Sequence, residues 1–366
     1  MVRRICLPPF RHLLDRLPAL RVTDIYEDPF EPYLHQQTTE KTWDTDHFTA
    51  IARKRGGRAL DIGCGRGRVA LALAAADLPT TAVDISHAAT TRLRTHLTHH
   101  PELAQHIRVV HGDVLDPMPE LGTGYTTATL GDTAVNMFTD PRTLTAFLTR
   151  VRSLLTPDGI LCLPVLTEPA LAAYTRRNGV LATAFTDDDG TRRLLFAAMR
   201  HDPDGPHFSR TLFLPDATRD KDEEPVAHLA AVRERLWNRA SLTQHLREAG
   251  FEIVDSIPVV PRDDALGRVD AEILVLAAEQ EARHAAVERD LGAATVLLCD
   301  SSIPGRHDGQ LDDETIGWLE SELALAEAPV FVGMHHPPIA LGLPSVDAIR
   351  LNHPSGWSGF CGATTR

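Results

Sequence analysis

The run LDIGCGRGR at residues 60–68 constrains this chain more than any other stretch. RALDIG, over 58–63, reads as a buried strand, and RVALALAAA, over 68–76, as the helix that follows it. Gly63, Gly65 and Gly67 fall in the turn between them. Glycines there let the main chain adopt angles that other residues avoid and pass close to a ligand. Two cofactor classes compete for such a turn. A dinucleotide fingerprint, G-x-G-x-x-G/A, is satisfied by Gly65, Gly67 and Ala70, and alone it is unspecific.

The alternation continues. TTAVDI (80–85), IRVVHGD (107–113), TTATLGD (126–132) and ILCLPVL (160–166) read as further strands. AATTRLRTHLTHH follows the second strand as a helix. Pro141 suits the first turn of another, in which Leu144, Phe147, Leu148, Val151, Leu154 and Leu155 recur at helical spacing before TPDG (156–159) ends it. Strands alternating with helices imply an α/β parallel sheet with right-handed crossovers. From 167 to about 232 the pattern changes to apolar runs separated by DDDG and DPDGPH, which predicts antiparallel hairpins inserted after the fifth strand. SLTQHLREAG (241–250) is a helix with Ser241 as candidate cap and Gly250 as its stop, and FEIVDSIPVV and AEILVLAA supply two closing strands. EARHAAVERDLGAA (281–294) is a polar helix or linker.

Carboxylates sit at set places on this frame. Asp61 lies inside the first strand, Asp84 ends the second and Asp113 ends the third. With the glycine turn and LLTPDGIL before the fifth strand, they resemble the class I S-adenosylmethionine-dependent methyltransferases over about 45–280. The resemblance implies a Rossmann-like, seven-stranded sheet and S-adenosyl-L-methionine as cofactor. It implies that Asp61, Gly63, Gly65 and Gly67 hold the methionine half. Asp84 would bind the ribose, Ile85 pack on adenine, Asp113 and Val114 meet the adenine edge, and Gly131 face the reacting methyl.

A sulfonium is already a strong electrophile, so bringing the acceptor into line and excluding water supply much of the rate. A base helps only where the acceptor must lose a proton. Asp132, Thr133 and Asn136, in LGDTAVNMF, are candidates near the methyl; Asp132 and Asn136 would orient an amine, although Asp132 would serve equally as a helix cap. Tyr26, Tyr33 and His35 lie in IYEDPFEPYLHQ, an approach segment that in this family often closes over the cofactor. Trp237 reads as packing. The stretch ATLGDTAVNMFTDPRTLTAFLTRVRSLLTPDGILCLPVL and the DDDG insertion look like daptide-type methyltransferases of ribosomal-peptide biosynthesis, which implies N-methylation of an amine on a small molecule or modified peptide.

The tail is of another kind. DSSIPGRHDGQLDDETIGWLESELA and VFVGMHHPP resemble calcineurin-like metallophosphoesterases, most of all class III cyclic-nucleotide phosphodiesterases, over about 294–353. That family's dinuclear site takes ligands from D-x-H, G-D, G-N-H-D, M-H-H-P and G-H-x-H motifs. Only the fourth is present, with His335 as its ligand position, while His307 and Asp308 lie in a loop. One histidine does not hold two metal ions. The expectation is therefore a partial, vestigial segment with no metal. The alternatives are a phosphodiesterase completed by another chain and a non-catalytic interaction protein on the same scaffold.

The formal net charge of -13 disfavours a nucleic-acid partner, which usually meets a basic stripe, and suits a small or cationic substrate. Five cysteines without a C-x-x-C pair fit a reducing cytosol. No stretch approaches a membrane span, so a cytoplasmic location is expected, while the oligomeric state stays open. The arginine-rich first 22 residues, broken by Pro8, Pro9 and Pro18, are expected to be a flexible arm, ahead of a methyltransferase domain over 23–280, a linker over 281–293 and the tail over 294–366.

Overall fold

The computed structural model describes residues 2–17, 19–39, 43–174, 176, 178–215, 226–259, 263–264, 267–268, 271–278, 287–290, 295–299, 313–325 and 330–334. Residues 1–279 form one compact unit and residues 280–366 another.

In the first unit, α1 (Glu31–Thr39) and α2 (Thr45–Arg55) precede β1 (Ala59–Ile62). There follow α3 (Arg68–Ala75), β2 (Thr80–Asp84), α4 (His87–Thr98), β3 (Ile107–His111), β4 (Tyr125–Leu130), α5 (Pro141–Leu154) and β5 (Leu155–Leu166). The insertion supplies β6 (Gly179–Thr186), β7 (Arg192–His201), β8 (His207–Leu214) and β9 (His228–Arg235). The chain returns through α6 (Arg239–Glu248) to β10 (Phe251–Val259) and β11 (Ala271–Ala278).

The main sheet has seven strands in the order β3-β2-β1-β4-β5-β11-β10. The first five are parallel, and β11 runs antiparallel to both its neighbours. This is the Rossmann-like sheet expected. The strand order reverses between β1 and β4, and open α/β sheets bind their ligands outside the carboxyl ends at such a reversal.

Packing explains why α5 sits where it does. Leu144, Phe147, Leu148, Val151 and Leu154 are each fully buried on one face, against Tyr125 of β4 and Leu161 and Leu163 of β5. Each such side chain contributes about 1.5–3 kcal/mol through burial. Asp140 caps this helix by accepting the Thr143 N–H at 3.1 Å, with Pro141 in the first turn. TPDG does not separate helix from strand as a loop. Leu155 already pairs with Tyr125, the register slips, and pairing resumes at Ile160 with Thr127. Gly159 is needed in that bulge because a Cβ there would come within 2.7 Å of the Tyr125 carbonyl.

The insertion forms a second sheet in the order Arg21–Val22, β9, β8, β7, β6. Its hairpins are antiparallel, as the Asp-Gly turns imply, and it extends to Arg235 rather than ending near 232. The N-terminal segment is not a free arm. Cys6, Leu7 and Phe10 are buried against Ala198 and Leu229 of this sheet, and Arg21–Val22 pairs parallel to β9. An apolar face on the inserted sheet outweighs the proline breaks that marked the segment as mobile. At α6, Asn238 rather than Ser241 is the cap. Its side chain accepts the Ser241 N–H, and the Ser241 hydroxyl accepts the Asn238 N–H, a reciprocal capping box.

In the second unit, Thr295–Cys299 pairs parallel to Val330–Met334, with the helix Asp313–Leu325 between them in sequence. Val287–Asp290, expected within a helix or linker, is a strand antiparallel to Thr295–Cys299. His307, Asp308 and His335 lie outside the described residues.

Candidate functional site

A cavity of about 220 Å³ opens at the carboxyl ends of β1, β2 and β4, where the strand order reverses. The glycine turn forms one wall. Gly63, Gly65 and Gly67 all have positive φ, at 65°, 55° and 92°. Their roles differ. Gly63 and Gly65 line the cavity, and a Cβ on Gly65 would meet no atom within 4 Å, so the turn leaves open space there. Gly67 faces away, and its Cβ would come within 2.6 Å of Leu93. It is required by helix packing instead of by a ligand.

Two carboxylates support this turn. Asp61 is 2% exposed; it accepts the Ala70 N–H at 3.0 Å and the Thr129 hydroxyl at 2.9 Å, tying β1 to α3 and β4. Burial pushes its carboxyl up to about 7, against the lowering by those two donors. Asp84 ends β2. One oxygen accepts the Gly65 N–H at 2.7 Å and the other the Ser86 N–H at 2.8 Å. Burial raises this carboxyl as well, more than its two amide donors lower it. Each oxygen keeps a further lone pair for a ligand in the cavity, which Asp84 lines.

The residues expected around adenine lie outside the cavity. Ile85 is 59% exposed, an apolar side chain held in the open directly after Asp84. His111 donates through Nε2 to the Ile85 carbonyl at 3.1 Å, which requires the tautomer or the protonated ring that carries hydrogen on Nε2. Asp113 is exposed and folds back to accept the Leu115 N–H at 2.9 Å, and Val114 is buried in the main core.

The opposite wall is the turn after β4. Gly131, Asp132, Thr133 and Asn136 line the cavity. Asp132 and Thr133 hold left-handed φ angles of 55° and 64°, uncommon for residues bearing a Cβ and concentrated at functional sites. The turn is held from below by Asp44, which is fully buried. Asp44 accepts the Asp132 N–H at 2.9 Å and binds Arg68 through both its oxygens, one at 2.8 Å. A Cβ on Gly131 would sit 3.1 Å from Arg68 and 3.3 Å from Asp44. Asp132 does not cap a helix here; the short helical turn Ala134–Met137 begins after Thr133 without a side-chain cap. Asn136 commits its Oδ1 to the Trp237 N–H at 3.0 Å. Trp237 is fully buried, as a packing residue should be, with its indole N–H on the Phe138 carbonyl at 2.9 Å.

The approach segment closes one side. Tyr26 and His35 line the cavity, whereas Tyr33 packs edge-on against Phe185 of the insertion, their rings 5.7 Å apart. Burial lowers the His35 imidazole below its usual range, which favours the neutral ring. The segment is fastened to α4: Glu27 accepts the His87 and Ala88 N–H groups at 2.7 and 3.1 Å, and the Ser86 hydroxyl donates to the Tyr26 carbonyl at 2.7 Å.

Sequence reasoning missed the charged residues that hold these walls: Glu31, Asp44, Arg66, Arg68, Arg210 and Glu234. A signal was present in the two arginines of GRGR, because a guanidinium drawn into a buried turn demands a carboxylate partner from elsewhere in the chain. Among the described residues no cluster of three or more metal-ligating side chains occurs, and no helix is long and apolar enough to cross a membrane.

Residues 59–159 match the family model described as a methyltransferase domain. The crystal structure of an S-adenosylmethionine-dependent methyltransferase from Clostridium acetobutylicum ATCC 824 superposes with a TM-score of 0.51 at 14% identity, covering 68% of this chain and 98% of that one. The CcbJ methyltransferase from Streptomyces caelestis gives 0.49 at 21% identity, covering 65% and 89%. Curated relatives match only briefly. The glycerophosphodiester phosphodiesterase GpdQ of Enterobacter lignolyticus (strain SCF1) is 45% identical over 58 residues, 16% of this chain and 21% of that protein. A probable cyclic nucleotide phosphodiesterase of Rhodococcus erythropolis (strain PR4 / NBRC 100887) is 43% identical over 51 residues, 14% and 17%. The chain thus spans about a fifth of the length of the curated relatives it matches. The matches thus give a methyltransferase domain over residues 59–159, carried on a seven-stranded sheet that shares its fold with the Clostridium acetobutylicum S-adenosylmethionine-dependent methyltransferase.

Proposed function

We propose that this chain transfers a methyl group from S-adenosyl-L-methionine to an amine nitrogen on a small molecule or modified peptide, in bacterial secondary metabolism of the ribosomal-peptide kind. One observation carries the reading. The Asp84 carboxylate is pinned by the Gly65 and Ser86 amides in a cavity that the strained Asp132–Thr133 turn also lines.

The residues present fit the cofactor. Gly65 leaves open space beside its main chain, and the lining carboxyl groups Glu31, Asp61, Asp84, Asp132 and Glu234 outnumber the lining arginines Arg66, Arg68 and Arg210, a balance that suits a cation. In this reading Gly63 and Gly65 run along the methionine half, with Asp61 and Gly67 holding the turn in shape. Asp84 accepts from the ribose hydroxyls, Ile85 covers one face of adenine, and Asp113 and Val114 meet its edge. S-adenosyl-L-methionine, when bound, supplies a methyl group activated by its sulfonium.

The chain's own contribution is placement. Gly131 admits the acceptor close to the far wall, and Asp132 and Thr133 orient it. An amine arrives largely protonated and must lose its proton before it attacks, and in this reading Asp132 orients it once that proton has gone to solvent. Tyr26, Tyr33 and His35 belong to the cover that keeps water out, with Tyr33 acting through its packing on Phe185. Asn136 fixes the turn through Trp237. The daptide-type likeness is the ground for the peptide substrate, and the acidic chain for a cationic one.

For the segment over 294–366, we infer a partial phosphodiesterase segment without a working metal site, in line with the short matches to that family. Manganese, iron or zinc bound stoichiometrically and lost in His335→Ala would refute that and favour a phosphodiesterase completed in trans.

Calorimetry with S-adenosyl-L-methionine and with S-adenosyl-L-homocysteine tests the main reading. One site per chain is expected, lost in a folded Asp84→Ala variant. Absence of heat with both compounds would overturn it.

A further inference from the structure

The inserted sheet brings one charged pair to the cavity. Arg210 on β8 and Glu234 on β9 are diagonal neighbours, since Arg210 pairs with Val232 two residues before Glu234. Their side chains are bonded to each other, and both line the cavity. Arg210 Nε is buried and has no hydrogen-bond partner among the described residues. Arg235 Nε is in the same position, but its guanidinium lies over the Trp237 ring, 4.2 Å from the centroid, and it does not line the cavity.

Tyr26 connects this pair to the far wall. Its hydroxyl meets the Met137 sulfur at 2.8 Å, and its phenol is subject to the charges of Arg210, Glu234 and Asp132 together. The ion pair and the turn that would receive the amine thus bear on one side chain.

A guanidinium has five donors and no acceptor, so what completes Arg210 must offer an acceptor oxygen. Nε is itself closed off, so a ligand oxygen meets the part of the guanidinium that lines the cavity. Glu234 already balances the positive charge, so a neutral amide carbonyl serves as well as a carboxylate.

We propose that Arg210 is the specificity-determining residue for the acceptor. It selects amines that carry a carboxylate or carboxamide oxygen beside the nitrogen, as amino acids and peptide ends do. The proposal rests on the methyl-transfer reading above.

The test is methyl transfer from labelled S-adenosyl-L-methionine by the full chain, using three matched sets: amino acids, their amides and the corresponding decarboxylated amines. Wild type should prefer the acids or amides over the decarboxylated amines by about tenfold or more in kcat/KM. Arg210→Gln should erase that preference, lowering kcat/KM, mainly through KM, far more for the oxygen-bearing acceptors than for the decarboxylated amines. Arg210→Lys should restore part of it. The double variant Arg210→Gln/Glu234→Gln, which leaves no lone charge, guards against misfolding. Binding of S-adenosyl-L-homocysteine is measured on every variant. If decarboxylated amines serve equally, if no set is methylated, or if Arg210→Gln depresses all sets alike, the proposal falls. It falls alone where S-adenosyl-L-homocysteine still binds; if that binding is missing in wild type, the methyl-transfer reading falls with it. Preference for acids alone would identify a carboxylate, and for amides alone a peptide carbonyl.

Discussion

Asp188, at the tip of the hairpin between β6 and β7, meets Arg66 of the glycine turn at 2.7 Å and also bonds Arg92 of α4. The same two arginines reach the approach segment. Arg66 binds Glu31 at 2.6 Å, and Arg92 binds Asp28 at 2.8 Å. Three carboxylates from two distant segments therefore clasp two guanidinium groups beside the cavity. The insertion read from the sequence as antiparallel hairpins is joined to the glycine turn itself.

Breaking that clasp should loosen the cavity without unfolding the sheet. Asp188 is 39% exposed on its side chain, so each pair contributes about 1 kcal/mol or less. Asp188→Ala should speed release of S-adenosyl-L-homocysteine severalfold in stopped-flow measurements. Wild-type release should accelerate with salt, and the variant should respond less. Identical release rates at low salt would show that the hairpin tip does not restrain the ligand.

Asp44 makes a harsher case. It is fully buried, and its removal leaves Arg68 and the Asp132 N–H without the group that holds both. Asp44→Ala should cost about 3–5 kcal/mol, which lowers Tm by roughly 10 °C in a unit of this size. Adding Arg68→Met should return part of the loss, because the stranded charge goes with it. Differential scanning calorimetry of the three proteins decides; additive losses in the double variant would mean that the two residues act separately.

These ties also mark the limit of what the chain discloses in one dimension. Strand and helix alternation, the glycine turn and the acids at strand ends are local patterns, each spelled within about ten residues, and they placed the sheet and most of one cavity wall. Asp44 to Arg68, Arg66 to Asp188 and Arg210 to Glu234 are 24, 122 and 24 positions apart. Arg66 finds Asp188 only once the inserted sheet sits on the main one, Arg210 finds Glu234 only through strand register, and Asp44 finds Arg68 only through the packing of two helices, and no spacing rule encodes these. Gly67 was legible as necessary but not why: its neighbour Leu93 comes from the next helix. The N-terminal segment was misread because its apolar residues, Cys6, Leu7 and Phe10, show no periodicity until the sheet they cover is known.

Asp61 ties stability to pH. Burial raises its carboxyl from 3.8 to about 7, so between those values the folded chain holds a proton that the unfolded chain has released. The native state then binds more protons, and stability falls as pH rises through that window. Asp61→Asn can keep the Ala70 N–H bond and donate to the Thr129 oxygen, without a charge to bury. Its Tm relative to wild type should therefore be higher at about pH 8 than at about pH 5. A constant difference across that range would show that Asp61 stays ionised throughout.

Ile85 should separate binding from folding. It is 59% exposed, so Ile85→Ala should alter stability by no more than about 0.5 kcal/mol. If it covers adenine, losing three carbons from that contact should weaken S-adenosyl-L-homocysteine about tenfold. Adenosine should lose affinity in the same proportion, and methionine should not. Equal titration curves for variant and wild type would remove Ile85 from the site.

Thr133 tests whether the turn after β4 is strained for a purpose. A β-branched residue at φ 64° costs about 1–2 kcal/mol, and glycine removes that cost while giving back about 0.5–1 kcal/mol of unfolded-chain entropy. Thr133→Gly should therefore raise Tm slightly, by about 2 °C. The freed turn should hold Asp132 less firmly against Asp44, so kcat should fall severalfold while S-adenosyl-L-homocysteine binds as before. Higher stability with undiminished kcat would show that the left-handed pair serves the fold alone, and that the acceptor is placed by other residues.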